Sequence, residues 1–101
     1  MPTEVRLLSD LDRIIHEPAR LALAAILSVV DSADFLYLQR ETGLTKGNLS
    51  SHLARLEEAG YVAIDKTYRG RIPLTLVRLT DAGAAACKAY RARFKKFLEK
   101  T

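Results

Sequence analysis

The stretch Leu44-Thr45-Lys46-Gly47-Asn48-Leu49-Ser50-Ser51-His52-Leu53-Ala54-Arg55-Leu56-Glu57-Glu58-Ala59-Gly60 decides how the rest of the chain is read. Leu49, Leu53 and Leu56 recur at helical spacing and form one apolar stripe. Thr45 is a residue type that caps a helix by accepting a backbone N–H of the first turn. Gly60 is one that ends it, because a left-handed residue after the last turn strains glycine least. Gly47, Ser51, Ala54 and Glu58 fall opposite the stripe, with Ser50 and Arg55 on its flanks. The face away from the leucines is therefore small and polar in its first half, with Lys46, Asn48, Ser50, Ser51 and Arg55 around it. Small residues let a backbone come close to a partner, and Lys, Asn, Ser and Arg are side chains that meet phosphates and base edges in a major groove. An ordinary amphipathic helix with a solvated face would show the same stripe.

Outward from this stretch, Leu36 to Thr42 reads as a helix ended by Gly43, so helix, glycine turn and helix follow one another across residues 34–60, the helix-turn-helix pattern. A very short strand fits Ala33 to Phe35. Upstream, Ala19 to Val30 is apolar nearly all round and belongs at the centre of a domain. Pro18 opens it at a first-turn position, where a missing N–H costs nothing. Before Pro18, Ser9 to Ile15 reads as a short helix, with Leu11, Ile14 and Ile15 inward.

After Gly60 the period changes to that of strands. Tyr61 to Tyr68 is β-branched and aromatic, with Val62 and Ile64 on one face. Arg69-Gly70-Arg71 is a turn with two positive charges, and Leu74 to Leu79 alternates again with Leu74, Leu76 and Leu79 toward the core. A hairpin with a basic tip is thus expected over residues 61–79, and Pro73 at its shoulder keeps that edge from pairing onward. Thr80 caps a last helix over residues 81–100, whose first residue, Asp81, suits the positive helix end. The expected fold is mainly α with a small β-hairpin, a single domain over residues 1–101: a winged helix-turn-helix with an added C-terminal helix.

With 101 residues and a net charge of +4, the chain suits one domain with one core and admits a nucleic-acid partner without requiring it. The longest apolar run, Leu21 to Leu27, is too short to span a membrane, and the first residues show no secretion signal, so a cytoplasmic location is expected. Cys87 is the only cysteine, which excludes an intramolecular disulfide. No spacing of Ser, His, Asp, Cys or Glu forms a nucleophile set, a carboxylate pair or a phosphate loop, and no catalytic residue, metal site or cofactor is expected.

Quoted together, Leu11-Asp12-Arg13-Ile14-Ile15-His16-Glu17-Pro18-Ala19-Arg20-Leu21, Thr42 to Leu53, Leu56-Glu57-Glu58-Ala59-Gly60-Tyr61-Val62 and Leu79-Thr80-Asp81-Ala82-Gly83 carry a resemblance over nearly the whole chain. The sequence resembles the small winged-helix transcriptional regulators of the MarR/ArsR-like superfamily, in a compact form that is little more than the DNA-binding domain. The resemblance implies a dimeric regulator of double-stranded DNA, with Lys46 to Arg55 in the major groove and the hairpin along the backbone or minor groove. The metal-sensing branch uses paired cysteines and clustered ligands, whereas this chain has one cysteine and two distant histidines, His16 and His52. A small-molecule effector is possible for such a protein but is not indicated here.

The DNA-contacting residues expected on this reading are Lys46, Asn48, Ser50, Ser51 and Arg55 on the helix, with Lys66, Arg69 and Arg71 on the hairpin. Arg40 and Lys66 fit either phosphate contacts or plain surface charge. His52 is read as a half-buried packing residue, His16 as a cation at a helix C-terminus and Cys87 as a small buried residue. Gly83, Cys87, Tyr90, Phe94 and Phe97 are spaced as a helix-pairing seam, so a homodimer is expected through the last helix, helped by residues 5–16; the expected contacts are Leu11, Ile14, Cys87, Tyr90, Phe94 and Phe97. Residues 1–39 carry three basic and six acidic side chains, and residues 81–101 six basic and two acidic, a complementary pairing of chain ends. The expected function is a sequence-specific transcriptional regulator, a repressor acting as a homodimer on a near-palindromic operator. The alternative is a winged helix used as a protein-interaction module for an acidic partner. The lack of a large apolar residue on the outer face of Lys46 to Arg55 argues against that alternative.

Overall fold

The computed structural model describes residues 11–100. The elements run α1 (Pro18–Leu27), β1 (Ala33–Asp34), α2 (Phe35–Thr42), α3 (Lys46–Glu58), β2 (Val62–Arg69), β3 (Ile72–Leu79) and α4 (Asp81–Lys100). The three strands form one antiparallel sheet in the order β1-β3-β2. This is a helix-turn-helix followed by a wing hairpin and a long last helix, as expected.

Caps set the helix limits. Glu17 precedes α1 and accepts from the Arg20 N–H at 2.8 Å. Asp34 accepts from the Tyr37 N–H at 2.8 Å, and the Thr45 hydroxyl accepts from the Asn48 N–H at 3.1 Å. Gly43 closes α2 at φ +70. At the end of α3, the Gly60 N–H donates to the Glu57 carbonyl and the Tyr61 N–H to the Leu56 carbonyl, both at 2.9 Å, with Gly60 at φ +80. These paired bonds are a Schellman ending, and they need a residue that accepts the left-handed conformation. The Thr80 hydroxyl accepts from the Gly83 N–H at 3.0 Å and so caps α4.

The main core gathers Leu23 and Leu27 of α1, Leu38 of α2, Leu49, Leu53 and Leu56 of α3, and Val62 and Val77 of the sheet. The leucine stripe of α3 is thus wholly buried and orients the opposite face outward. A second cluster joins Leu11 and Ile15 to Ala24 of α1 and to Cys87 and Tyr90 of α4.

Four sequence expectations change. First, Ser9 and Asp10 of the expected first helix lie outside the described residues. From Leu11 the chain makes only a single turn, in which the Asp12 carboxylate accepts from the N–H groups of Ile14 and Ile15. This is capping geometry, but the turn cannot grow into a helix, because Glu17 is extended (φ -152, ψ 131) directly before Pro18, which disfavours the helical conformation in its predecessor. Second, α1 ends at Leu27 instead of Val30, with Ser28 as its C-cap and the Ser28 hydroxyl donating to the Ala25 carbonyl. Nor is the apolar stretch enclosed all round: Leu21 of α1 and Val30 beyond it are partly exposed, and Val29 is 80% exposed. Third, the turn of the wing is Gly70-Arg71 alone. Gly70 has φ +65 in a two-residue hairpin loop, a place where positive φ follows the twist of the strands. Fourth, β3 presents Val77 and Leu79 to the core, while Leu74 and Leu76 alternate onto the other face and are half-buried. The strand is apolar on both faces, so its period leaves the inward face open. The pairing of Val77 with Ile64 on one side and Ala33 on the other decides it.

Candidate nucleic-acid interface

The sequence folds so that α3 is gripped on one side only. Leu49, Leu53 and Leu56 are buried, while Lys46, Gly47, Asn48, Ser50, Ser51, Ala54 and Arg55 are all exposed. His52 lies between the two faces and is half-buried as expected. Arg20 Nη1 donates to its Nδ1 at 3.1 Å, and Glu17 Oε1 lies 3.9 Å from the same nitrogen. A guanidinium can only donate, so Nδ1 accepts and the ring proton sits on Nε2. Arg20 also donates from Nε to the Ile14 carbonyl at 2.6 Å, so one side chain ties the N-terminal turn to α3. The Arg20 N–H at the Glu17 carboxylate is the main cause holding that carboxyl below its usual pKa.

Beside α3 opens a cleft of about 1060 Å3, walled by α2, α3 and the wing. Lys46 and Ser50 line it from α3, Lys66 and Arg69 from the wing and Arg40 from α2. Of the eight expected DNA-contacting residues, the cleft brings together Lys46, Ser50, Lys66 and Arg69. Ser51, Asn48 and Arg55 are exposed on α3 outside the cleft, and Arg71 is exposed in the wing turn. Arg40 completes the basic wall; it sits one helical turn from Leu36, which is 65% exposed on the same cleft. Not anticipated were two apolar side chains of the wing, Tyr68 at 69% exposure and Ile72 at 67%. Their signal in the sequence was the interruption of a basic turn by large residues on both sides. Within the wing hairpin, Asp65 lies 3.9 Å from Arg78, so the carboxylate nearest the wing tip has a cation beside it.

Comparison with known proteins gives this geometry its class. The model of the winged helix DNA-binding domain matches residues 19–98. The chain belongs to the winged helix DNA-binding domain family. This winged helix domain is 35% identical over 79 residues to an uncharacterized protein of Methanocaldococcus jannaschii, across 77% of this chain and 85% of that one. Its fold matches a transcriptional regulator homologue of Pyrococcus horikoshii OT3 with a TM-score of 0.88 and 31% identity, over 97% of this chain and 96% of the other. A MarR-family transcriptional regulator of Silicibacter pomeroyi shares the fold at a TM-score of 0.69 and 22% identity, covering 96% of this chain and 64% of that one. The family is one of DNA-binding domains and not of enzymes.

The residues expected at a dimer contact divide. Leu11, Cys87 and Tyr90 are buried inside the chain, and Ile14 packs against the main core. Gly83 lies under the backbone of Tyr61, where a Cβ would come within 2.1 Å of the Tyr61 carbonyl oxygen. The first half of the seam therefore holds α4 to its own domain. Phe94 and Phe97, half-buried and in edge contact with ring centres 6.0 Å apart, lie further along, and Phe94 still packs against the second core cluster. His16 does not act at a helix end as expected; its Nδ1 shares a hydrogen bond with the Tyr90 hydroxyl at 2.8 Å. Burial pushes the Cys87 thiol up, against a smaller downward pull from Arg91. Among the described residues no group of three His, Cys, Asp or Glu side chains is placed to hold a metal ion, and no described helix is long and apolar enough to cross a membrane.

Proposed function

We infer that this winged helix domain is a sequence-specific, double-stranded-DNA-binding transcriptional regulator of the cytoplasm, acting as a homodimer on a near-palindromic operator. The observation that carries the reading is the one-sided burial of α3: its leucines are interior and its small polar face stands open beside Lys66 and Arg69. A helix held this way can lie in a major groove with Lys46, Asn48, Ser50, Ser51 and Arg55 at base edges and phosphates, while Arg69 and Arg71 reach the backbone or minor groove. Each good bidentate base contact is worth about 1–3 kcal/mol of discrimination.

The homodimer draws support from α4. From Arg91 to Lys100 no side chain is buried, and the chain extends 57 Å along one axis against 26 and 21 Å along the others. Phe94 and Phe97 are then the central contacts of a second copy. Two-fold symmetry would set the recognition helices about one DNA turn, roughly 34 Å, apart.

The test is selection of duplexes from a random library by the purified protein, followed by affinity measurement with Ser51→Glu. Because Ser51 is exposed, the variant should melt like wild type yet lose binding to the selected duplex. Retained affinity in the folded variant would remove α3 from the interface.

A further inference from the structure

Arg20 joins parts of the chain that are distant in sequence. Its guanidinium donates from Nε to the Ile14 carbonyl of the N-terminal turn at 2.6 Å and from Nη1 to His52 Nδ1 at 3.1 Å. His52 stands near the middle of α3, so this grip acts on the helix whose outer face the proposed function lays against DNA. The same ring nitrogen has a second neighbour, Glu17 Oε1, at 3.9 Å. That carboxylate oxygen is itself fixed, because it accepts the Arg20 N–H at 2.8 Å as the cap of α1. Other charged groups nearby are turned elsewhere. Arg55 follows on α3 and is exposed, as is Arg13 in the turn. The Asp12 carboxylate is taken up by Tyr61 and by the N–H groups of Ile14 and Ile15, and His16 by the Tyr90 hydroxyl.

The two neighbours of Nδ1 require opposite states of it. Arg20 needs a lone pair there, and so a neutral ring; the Glu17 carboxylate needs a proton there. A histidine can pass between these states within about pH 5–8. The guanidinium keeps its charge throughout. Glu17 keeps its own as well, since the Arg20 N–H holds its carboxyl below the usual range. A charge-assisted N–H···O bond is about 2.7–2.9 Å long, so closing the gap of 3.9 Å takes a shift of about 1 Å in the ring or the helix. Groups that must meet a partner precisely tolerate about 0.5 Å. We propose that Arg20 is a positioning residue for α3 and that His52 makes its grip proton-sensitive: the neutral ring is held by Arg20 in the arrangement that binds DNA, and the protonated ring leaves Arg20 for Glu17 and weakens binding. This rests on the DNA-binding reading above and adds a control to it. The sign is distinctive. A histidine that met phosphate would do the reverse, because protonation would add a cation, strengthen binding and steepen its salt dependence.

The experiment uses the full chain and a duplex selected by the wild-type protein from a random library, with affinity measured at one ionic strength from about pH 8 to about pH 5.5. Melting curves at both ends of the range establish that each protein is folded. Wild type should lose affinity about tenfold toward acid, the size of one hydrogen bond to a charged group. His52→Asn keeps an acceptor near the place of Nδ1 but takes up no proton, so its affinity should stay level over the range. Arg20→Lys keeps the charge and loses the fork that reaches Ile14 and His52 at once. It should bind at about pH 8 as weakly as wild type does at about pH 5.5. Glu17→Gln keeps a cap acceptor and removes the charge that receives the proton, so its loss should move to lower pH. A role in folding alone would lower the melting temperatures of these variants and leave the pH profile in place. Wild-type affinity that holds or rises in acid, or the same acid loss in His52→Asn, would overturn the switch while leaving DNA binding by α3 standing. If wild type selects no duplex at all, the DNA reading and the switch fall together.

Discussion

Gly83 illustrates how much one missing side chain can decide. The Tyr61 carbonyl oxygen lies where a Cβ would sit, and that same oxygen accepts the Thr80 N–H at 3.0 Å. The obstacle is backbone already committed to a hydrogen bond, so it cannot swing aside. Gly83→Ala should destabilise the domain by about 1–3 kcal/mol or more, visible as a lower denaturation midpoint with an unchanged urea slope. A second residue-scale contact joins the N-terminal turn to the base of the wing: the Tyr61 hydroxyl donates to the Asp12 carboxylate. That bond, followed by burial, raises the Tyr61 pKa to about 12. The folded value lies above the ordinary one of about 10. The stabilisation is therefore fully present below about pH 10 and is lost as pH rises through the folded value. Wild type should exceed Tyr61→Phe in stability by about 1 kcal/mol at neutral pH. The gap should close on titration across this alkaline window, as followed by thermal melting of both proteins; a gap independent of pH would place the effect elsewhere.

Among the elements, α3 carries a residue that its own packing does not require. Its first turn contains Gly47, and a Cβ built there would meet nothing within 4 Å. Glycine in a helix costs stability relative to alanine, by up to about 1 kcal/mol in an interior position and less near an end. The chain itself thus offers no packing reason for glycine at this position. The outward face of α3 does, if the helix backbone must come close to DNA. Gly47→Ala should raise the melting temperature slightly while weakening binding to a selected duplex, so that stability and affinity move in opposite directions. A variant that gains stability and keeps full affinity would show that nothing approaches that turn.

For the whole molecule, the question is what becomes of the far end of α4. A helix of 20 residues is about 30 Å long. Its buried residues end at Tyr90; Phe94 still packs against the second core cluster, with its ring centre 6.2 Å from that of His16, and Phe97 follows on the same side with a basic surface around it. The aromatic row continues from His16 through Tyr90 and Phe94 to Phe97, with neighbouring ring centres near 6 Å. The row thus runs out of the body toward the helix end, where a second copy could extend it. Phe94→Asp with Phe97→Asp should convert a dimer to a monomer in light scattering, preserve the helix-turn-helix, and weaken operator binding by removing one half-site. Wild type that runs as a monomer at micromolar concentration, or a double variant that stays dimeric, would assign this surface to the chain alone.

Several features followed from local chemistry and were legible in the residues. Thr45, Thr80, Gly43 and Gly60 mark helix ends because caps act within a few residues of the backbone groups they satisfy. The polar face of α3 was legible because a 3.6-residue period separates Leu49, Leu53 and Leu56 from Ser51 and Arg55 without help from the rest of the chain. The order of elements and the basic wing followed in the same way, and so did the family. Tertiary structure alone decided matters that depend on residues distant in sequence. β3 is apolar on both faces, and only its pairing with Ile64 and Ala33 turned Val77 inward. The spacing of α4 is the same whether a seam meets its own domain or another copy; the packing of Cys87 and Tyr90 on Leu11, Ile15 and Ala24 assigned its first half to the chain. The placement of Gly83 against a carbonyl 22 residues earlier, and of His52 beside Arg20, came from the same source. Periodicity records which residues share a face, but not which neighbour that face will meet.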